Sequence, residues 1–136
     1  MDSIAALFRA LGAPLHNERW SWGASTENFV VLRTWQDETK KYGDSLVVTI
    51  RYNWEILKDR PGFKERERHI EEIQNGKPAF MIMCKAVDPT ADPRDIQSFN
   101  KKDLFVGGNI VDLGEGNLGI EAVKRITIKE FRVLYS

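Results

Sequence analysis

The chain contains few of the residues from which catalytic and metal sites are built. Its 136 residues include one cysteine, Cys84, and two histidines, His16 and His69. A single cysteine cannot form an internal disulfide, and this set does not supply a zinc site of the usual ligand spacing. The sequence also lacks a G-x-S-x-G elbow and a glycine-rich phosphate loop. We therefore expect no metal ion and no cofactor, and a binding protein rather than an enzyme.

Net charge is absent as well, since 20 basic and 20 acidic residues cancel. Adhesion to nucleic acid regardless of sequence normally needs an excess of positive charge, so this function is disfavoured unless cations cluster locally. The cations that could form such a cluster are Arg33, Lys40, Lys41, Arg51, Arg94, Lys101 and Lys102. No apolar run is long enough for a membrane span or shaped like a signal peptide. We expect a cytoplasmic protein without membrane contact.

The length is that of one domain, 1–136, and two segments predict helices. In the first, apolar residues recur at helical spacing over 4–11, with Asp2 or Ser3 as the cap. The second runs from about Pro61 to Gly76. Its apolar side is narrow, and we expect its many charged residues to be solvated.

Alternating apolar residues predict six or seven strands. The segments are 19–24, 28–35, 46–54, 79–87, a hairpin over 103–123 and a last strand over 125–135. Segment 79–87 is almost wholly apolar, which is typical of a central strand buried on both faces. The fold class predicted is α+β, with a strongly curved mixed sheet or partly open barrel flanked by two helices.

The tryptophans lie close in sequence to arginines. If 28–35 alternates as a strand, Arg33 and Trp35 project from the same face. A flat base needs aromatic faces to stack on, together with guanidinium or amide donors that read its edge. The candidate ligand-binding residues are therefore Trp22, Arg33, Trp35, Asp37, Arg51 and Asn53. The alternative is that each tryptophan fills the core; we expect Trp54 to do so and Trp35 to line the pocket.

The runs LGAPLHNERWSWGAS, VVLRTWQDE, FMIMCKAVDP and PRDIQSFNKKDLFVGG resemble a poorly characterised family of bacterial domains, which stand alone or precede HNH-type nuclease domains in restriction-like proteins. The resemblance implies a recognition module that directs a nuclease to modified DNA, on a small sheet similar to the base-reading barrels called PUA-like. Its recurrent motif is matched by Trp20, Trp22, Trp35, Gln36 and Asp37. The HNH cleavage half has no counterpart in this sequence, which favours binding over cutting.

Three hypotheses follow. The first is a nucleic-acid-binding module that reads a modified or flipped DNA base in a tryptophan-lined pocket and does not catalyse by itself. The second is a small protein-binding regulator of a phage or bacterial defence system, with its aromatic residues in a flat exposed patch. The third is a small metal-dependent nuclease, in which Asp37 and Glu38 would meet another carboxylate in a cleft.

Overall fold

The computed structural model describes residues 3–91 and 94–135, so the predicted cap Asp2 lies outside the described residues. The elements in chain order are α1 (Ile4–Ala10), β1 (Gly23–Ser25), β2 (Val30–Trp35), β3 (Thr39–Tyr42), β4 (Ser45–Arg51), α2 (Pro61–Gln74), β5 (Ala79–Ala86), β6 (Ile96–Phe99), β7 (Asp103–Gly114), β8 (Asn117–Thr127) and α3 (Ile128–Leu134). Two short 3-10 turns, Gln36–Glu38 and Glu55–Leu57, follow β2 and β4. In the described residues, no helix has the length and apolar character needed to cross a membrane.

The strands form one mixed sheet in the order β1-β2-β5-β7-β8-β4-β3, and β6 pairs with β5 beside β7. The β2–β5 pair is parallel and the other pairs are antiparallel. The sheet is not closed, because β1 and β3 are its two ends. The predicted α+β class is thus confirmed, while the described chain has eight strands instead of six or seven and three helices instead of two.

Both faces of the sheet are covered. On one face, β2 and β5 pack Val31, Phe80 and Ile82 against α1 and α3. On the other face, alternate residues of the same strands, such as Leu32 and Met81, pack against α2. Segment 79–84 is therefore covered on both sides, as its apolar sequence predicts, while Lys85 and Val87 at the end of the predicted segment are exposed.

The first two helices begin near the predicted residues. The Ser3 hydroxyl accepts a hydrogen bond from the Ala6 amide at 3.1 Å and caps α1. Pro61 is the first residue of α2, where its missing N–H costs nothing. The expectation that the charged residues of α2 are solvated is wrong for three of them, since Glu65, Arg66 and His69 are buried.

The predicted last strand is also wrong beyond Thr127. The Thr127 hydroxyl accepts a hydrogen bond from the Glu130 amide at 3.0 Å, and the Glu130 carboxylate accepts one from the Thr127 amide at 3.0 Å. This capping box begins α3, so Ile128 and Phe131 face the core at helical spacing. The sequence pattern of this helix cap, T-x-x-E, is present, but it lies in a segment that also alternates like a strand.

The two predicted strands 19–24 and 46–54, which contain tryptophans, are both shorter in the structure than predicted. In segment 19–24 the chain is irregular until Gly23, where the short β1 begins. At the other segment, β4 pairs with β8 only as far as Arg51. Beyond it the chain leaves the sheet, and Trp54 is 51% exposed, so the prediction that Trp54 fills the core is wrong.

Candidate functional site: an aromatic and cationic pocket

Arg66 of α2 bridges two strands that do not pair with each other. In the sheet, β5, β7 and β8 separate β2 from β4. The Arg66 guanidinium nevertheless donates to the carbonyl oxygen of Ile50 in β4 at 2.8 Å and to that of Arg33 in β2 at 2.8 Å. It also donates to the Trp22 carbonyl at 2.9 Å. The sheet is therefore curved enough to bring β2 and β4 within reach of one side chain, and we call this junction the seam.

The environment of Arg66 is unusual for a guanidinium. Burial lowers the pKa of Arg66 to about 9, and the nearby positive charge of Arg33 acts in the same direction. Two cations therefore lie close together at the seam with little exposure to water. A buried charge of this kind persists only where hydrogen bonds compensate it. The three carbonyl oxygens give Arg66 that compensation.

A pocket of about 330 Å³ opens beside the seam. Its aromatic walls are Trp22, Trp35, Tyr52, Trp54 and Phe63, and its cationic residues are Arg33, Arg51, Arg60, Arg66 and Arg94. Among the described residues that line it, Glu38 is the only carboxylate. Small-molecule pockets span roughly 300–1,000 Å³, so this one is sized for a single small ring system.

Four of the six residues predicted for the ligand site line this pocket: Trp22, Arg33, Trp35 and Arg51. Asp37 lies outside it and accepts a hydrogen bond from Arg94 at 2.9 Å. Asn53 also lies outside it, where its side-chain amide donates to the Glu115 carbonyl at 3.1 Å and so holds the β7–β8 turn. Of the seven cations expected to cluster, three line the pocket: Arg33, Arg51 and Arg94.

Arg33 has no compensation of the kind that Arg66 has. Its guanidinium lies 5.3 Å from the centre of the Trp35 ring, and its Nε is buried without a hydrogen-bond partner. Burial lowers the pKa of Arg33. The nearby Cys84 thiol cannot supply a negative charge, because burial raises the pKa of that thiol to about 12. Within the described chain no carboxylate pairs with Arg33, which is one of the residues that line the pocket.

The acidic residues after β2 are held by Arg94. One guanidinium nitrogen of Arg94 contacts Asp37 at 2.9 Å and Glu38 at 3.1 Å, and the same guanidinium lies 5.3 Å from the Trp35 ring centre. Burial raises the pKa of Glu38, and the positive charge of Arg94 partly opposes that shift. Across residues 3–91 and 94–135, no group of three or more His, Cys, Asp or Glu side chains could hold a metal ion.

The outer wall of the pocket is a stacked pair of rings. Tyr52 and Trp54 lie 4.6 Å apart between centres with 19° between their planes. Sequence reasoning assigned Trp54 to the core, did not place Tyr52 or Arg66 at the site, and named Arg94 only among the cations that could cluster. Trp20, by contrast, packs edge-on against His16 at 5.7 Å and does not line the pocket.

The pocket thus offers aromatic faces on several sides, guanidinium donors, and one carboxylate acceptor. The sequence matches no protein-family model, and neither the curated proteins nor the solved structures contain a significant match. The chemistry of the site must therefore be inferred from its own geometry. That geometry suits a small flat ring whose edge carries hydrogen-bond acceptors and at least one donor.

Proposed function

We propose that this pocket binds a nucleobase, and that the chain is a nucleic-acid-recognition module that reads a modified or flipped DNA base. The observation that carries the proposal is the Arg33 guanidinium, which is partly buried over the Trp35 ring and has an Nε without a hydrogen-bond partner. A desolvated cation is costly unless it gains a partner, so its donors favour a ligand that brings acceptors. The edges of nucleobases carry such acceptors, and guanidinium groups read them with two parallel hydrogen bonds.

The aromatic walls support the same ligand class. Every base has a π face, and stacking one base on an aromatic side chain contributes roughly 1–3 kcal/mol. An enzyme or reader that engages a base of a duplex extrudes it and holds it between aromatic side chains with hydrogen bonds to its edge. Trp22, Trp54 and the Arg33 donors together provide this combination.

The finer parts of the proposal rest on the shape of the sheet and on the resemblance. A curved sheet that stays open, with α2 at its seam, is consistent with a PUA-like reader located in the cytoplasm and acting with a partner nuclease. We assign the chain no cleavage step of its own, because Arg94 forms ion pairs with both Asp37 and Glu38. A protein-binding regulator would expose a flat aromatic patch without basic residues, whereas these aromatics line a concave site with arginines.

The test is a titration of the protein with plain duplexes, duplexes that carry modified bases, and single strands. Arg33→Met keeps much of the side-chain volume and removes the donors, so we expect binding to weaken roughly 10- to 100-fold, the effect of losing one charged hydrogen bond (about 1.5–3 kcal/mol). The melting temperature should stay unchanged or rise, because a poorly compensated charge is lost. The control is Arg132→Met, which removes an exposed arginine of α3.

Two results would contradict the proposal. If the parent protein binds none of the nucleic acids, the pocket has another ligand. If Arg33→Met binds as tightly as the parent, any binding occurs elsewhere on the surface. Addition of Mg²⁺ or Mn²⁺ should produce no cleavage of the DNA, and metal-dependent nicking that Glu38→Gln abolishes would revive the nuclease hypothesis.

A further inference from the structure

A second cleft lies on the α2 side of the sheet, next to the turn that follows β2. Its volume is about 410 Å³. Four of the residues that line it are cross-strand partners: Lys85 pairs with Ser98, and Phe105 pairs with Arg125. Phe105 also pairs with Met81, which lies four residues before Lys85 on β5, so both pairs are on one face. The residues in each pair lie opposite each other on neighbouring strands, so their side chains project to the same side of the sheet.

The charge of this cleft differs from that of the whole chain. The described residues that line it include the cations Lys85 and Arg125 and no carboxylate, although the chain as a whole is neutral. Arg125 lies over the Phe105 ring at 5.1 Å. The cleft therefore places an exposed cation over an aromatic ring, and the one acid bound to Arg125, Asp103, is not among its lining residues.

The cleft and the aromatic pocket lie on the two sides of the same short turn. Trp35 and Glu38 line the pocket, while Gln36 and Thr39 line the cleft. The Thr39 hydroxyl donates to the Trp35 carbonyl at 3.1 Å, which ties the two sides of the turn together. The pocket and the cleft are therefore separated by the turn Gln36–Glu38.

We propose that this cleft binds the sugar–phosphate backbone adjacent to the base held in the pocket. The inference rests on the proposed function, and it assigns the phosphate contacts to a surface that the pocket does not contain. Phosphate contacts fix where a nucleic acid lies on a protein, while base contacts select the sequence. Local clustering of cations also explains how a chain of zero net charge attracts a polyanion.

The experiment measures the salt dependence of binding to a labelled single-stranded DNA oligonucleotide. The variant Lys85→Gln/Arg125→Gln removes two positive charges from exposed side chains. Each phosphate contact on a single strand contributes about 0.7 to the slope of log K against log salt, so losing two should reduce the slope by about 1.4. The matched control, Lys129→Gln/Arg132→Gln, removes the same kinds of charge from α3 on the opposite face and should keep the parent slope.

The outcomes separate this inference from the proposed function. An unchanged slope for Lys85→Gln/Arg125→Gln, or an equal reduction in the control, overturns the backbone contact even if Arg33→Met abolishes binding. A reduced slope together with undiminished binding by Arg33→Met keeps the cleft and rejects the pocket. Failure of the parent to bind DNA at low salt overturns both.

Discussion

The two faces of the sheet are built from different chemistry. Under α1 and α3 the core is apolar and aromatic, with Phe29 and Phe131 in edge-to-face contact at 5.0 Å and Phe80 and Phe131 at 4.9 Å. Under α2, buried side chains include Arg66 and His69, which are ionisable. One face is thus closed by packing, and the other is held in part by hydrogen bonds to a buried cation.

The difference is visible in the polar atoms that have no partner. The buried side-chain atoms without hydrogen bonds are the Nε atoms of Arg33 and Arg66, Oε1 of Glu65 and Nδ1 of His69. Three of the four belong to residues of α2, and the fourth belongs to Arg33 at the seam. Buried polar groups are normally satisfied, so this concentration distinguishes α2 and the seam from the packed core.

The largest expected effect comes from breaking the closed face. Ile82 is fully buried in β5, and Ile82→Asp would place an unpaired carboxylate in the apolar core. We expect a loss of several kcal/mol, enough to unfold a domain of ordinary stability. Circular dichroism at rising temperature measures it, with Val87→Asp as the control because Val87 is 63% exposed. A parent-like melt for Ile82→Asp would reject the assignment of β5 to the core.

A somewhat smaller loss is expected from breaking the seam. Arg66→Met leaves the carbonyls of Trp22, Arg33 and Ile50 without their donor. Each unsatisfied buried group costs about 1–3 kcal/mol, and water entering from the pocket offsets part of it, so we expect roughly 3–5 kcal/mol in total. Urea denaturation of Arg66→Met and of the exposed Arg68→Met compares the two arginines on one helix. Equal stability of the two variants would show that Arg66 does not hold the seam.

Lowering the pH should destabilise the face under α2 through its buried histidine, His69. Burial lowers the pKa of His69 to about 4 from its usual 6.5, so the unfolded chain binds a proton that the folded chain refuses. The resulting stability is complete above pH 6.5 and is lost as pH falls toward 4, by at most about 3 kcal/mol. Burial raises the pKa values of Glu38 and Glu65, which gives the opposite slope above pH 4.5.

Comparison with His69→Gln isolates the histidine from these carboxylates. The free energy of unfolding of the parent should fall more steeply between pH 6.5 and 4 than that of the variant. Denaturant titrations at several pH values measure both curves. Parallel curves would mean that His69 titrates alike in the folded and unfolded chains.

The closed face was largely predictable because its signals are local. The apolar runs within 28–35 and 79–87 locate β2 and β5 directly, and Ser3 and Pro61 begin their helices as helix-capping rules require. The T-x-x-E cap of α3 was missed, since its segment also alternates like a strand, and so was β6, whose segment was not among the predicted strands. Local patterns were thus sufficient to find the core.

The seam was only half predictable because its contacts join distant segments. Arg33 and Trp35 lie two residues apart on one strand, so alternation places them together. Arg66 and Arg94 reach the same pocket from positions far along the chain, and on α2 a charged residue looks like part of a solvated face. A pattern within one element cannot show which strand edges a curved sheet brings together.

The smallest effect concerns the tryptophans, whose roles the structure redistributes. Trp35 lines the pocket but also packs against the apolar cluster under α1 and α3, so its truncation changes stability and binding together. Truncation of Trp54 separates the effect on binding from the effect on stability, because Trp54 is 51% exposed and stacks on Tyr52 at the outer wall.

For Trp54→Ala we expect a nearly unchanged melting temperature and binding weaker by roughly 1–3 kcal/mol, the contribution of one stacked base. Trp20→Ala is the matched control, since Trp20 lies against His16 outside the pocket and should leave binding unchanged. Thermal melting and DNA titration of both variants make the measurement. Equal binding by Trp54→Ala and Trp20→Ala would remove the outer wall from the site and leave base contact to Trp22 and Arg33.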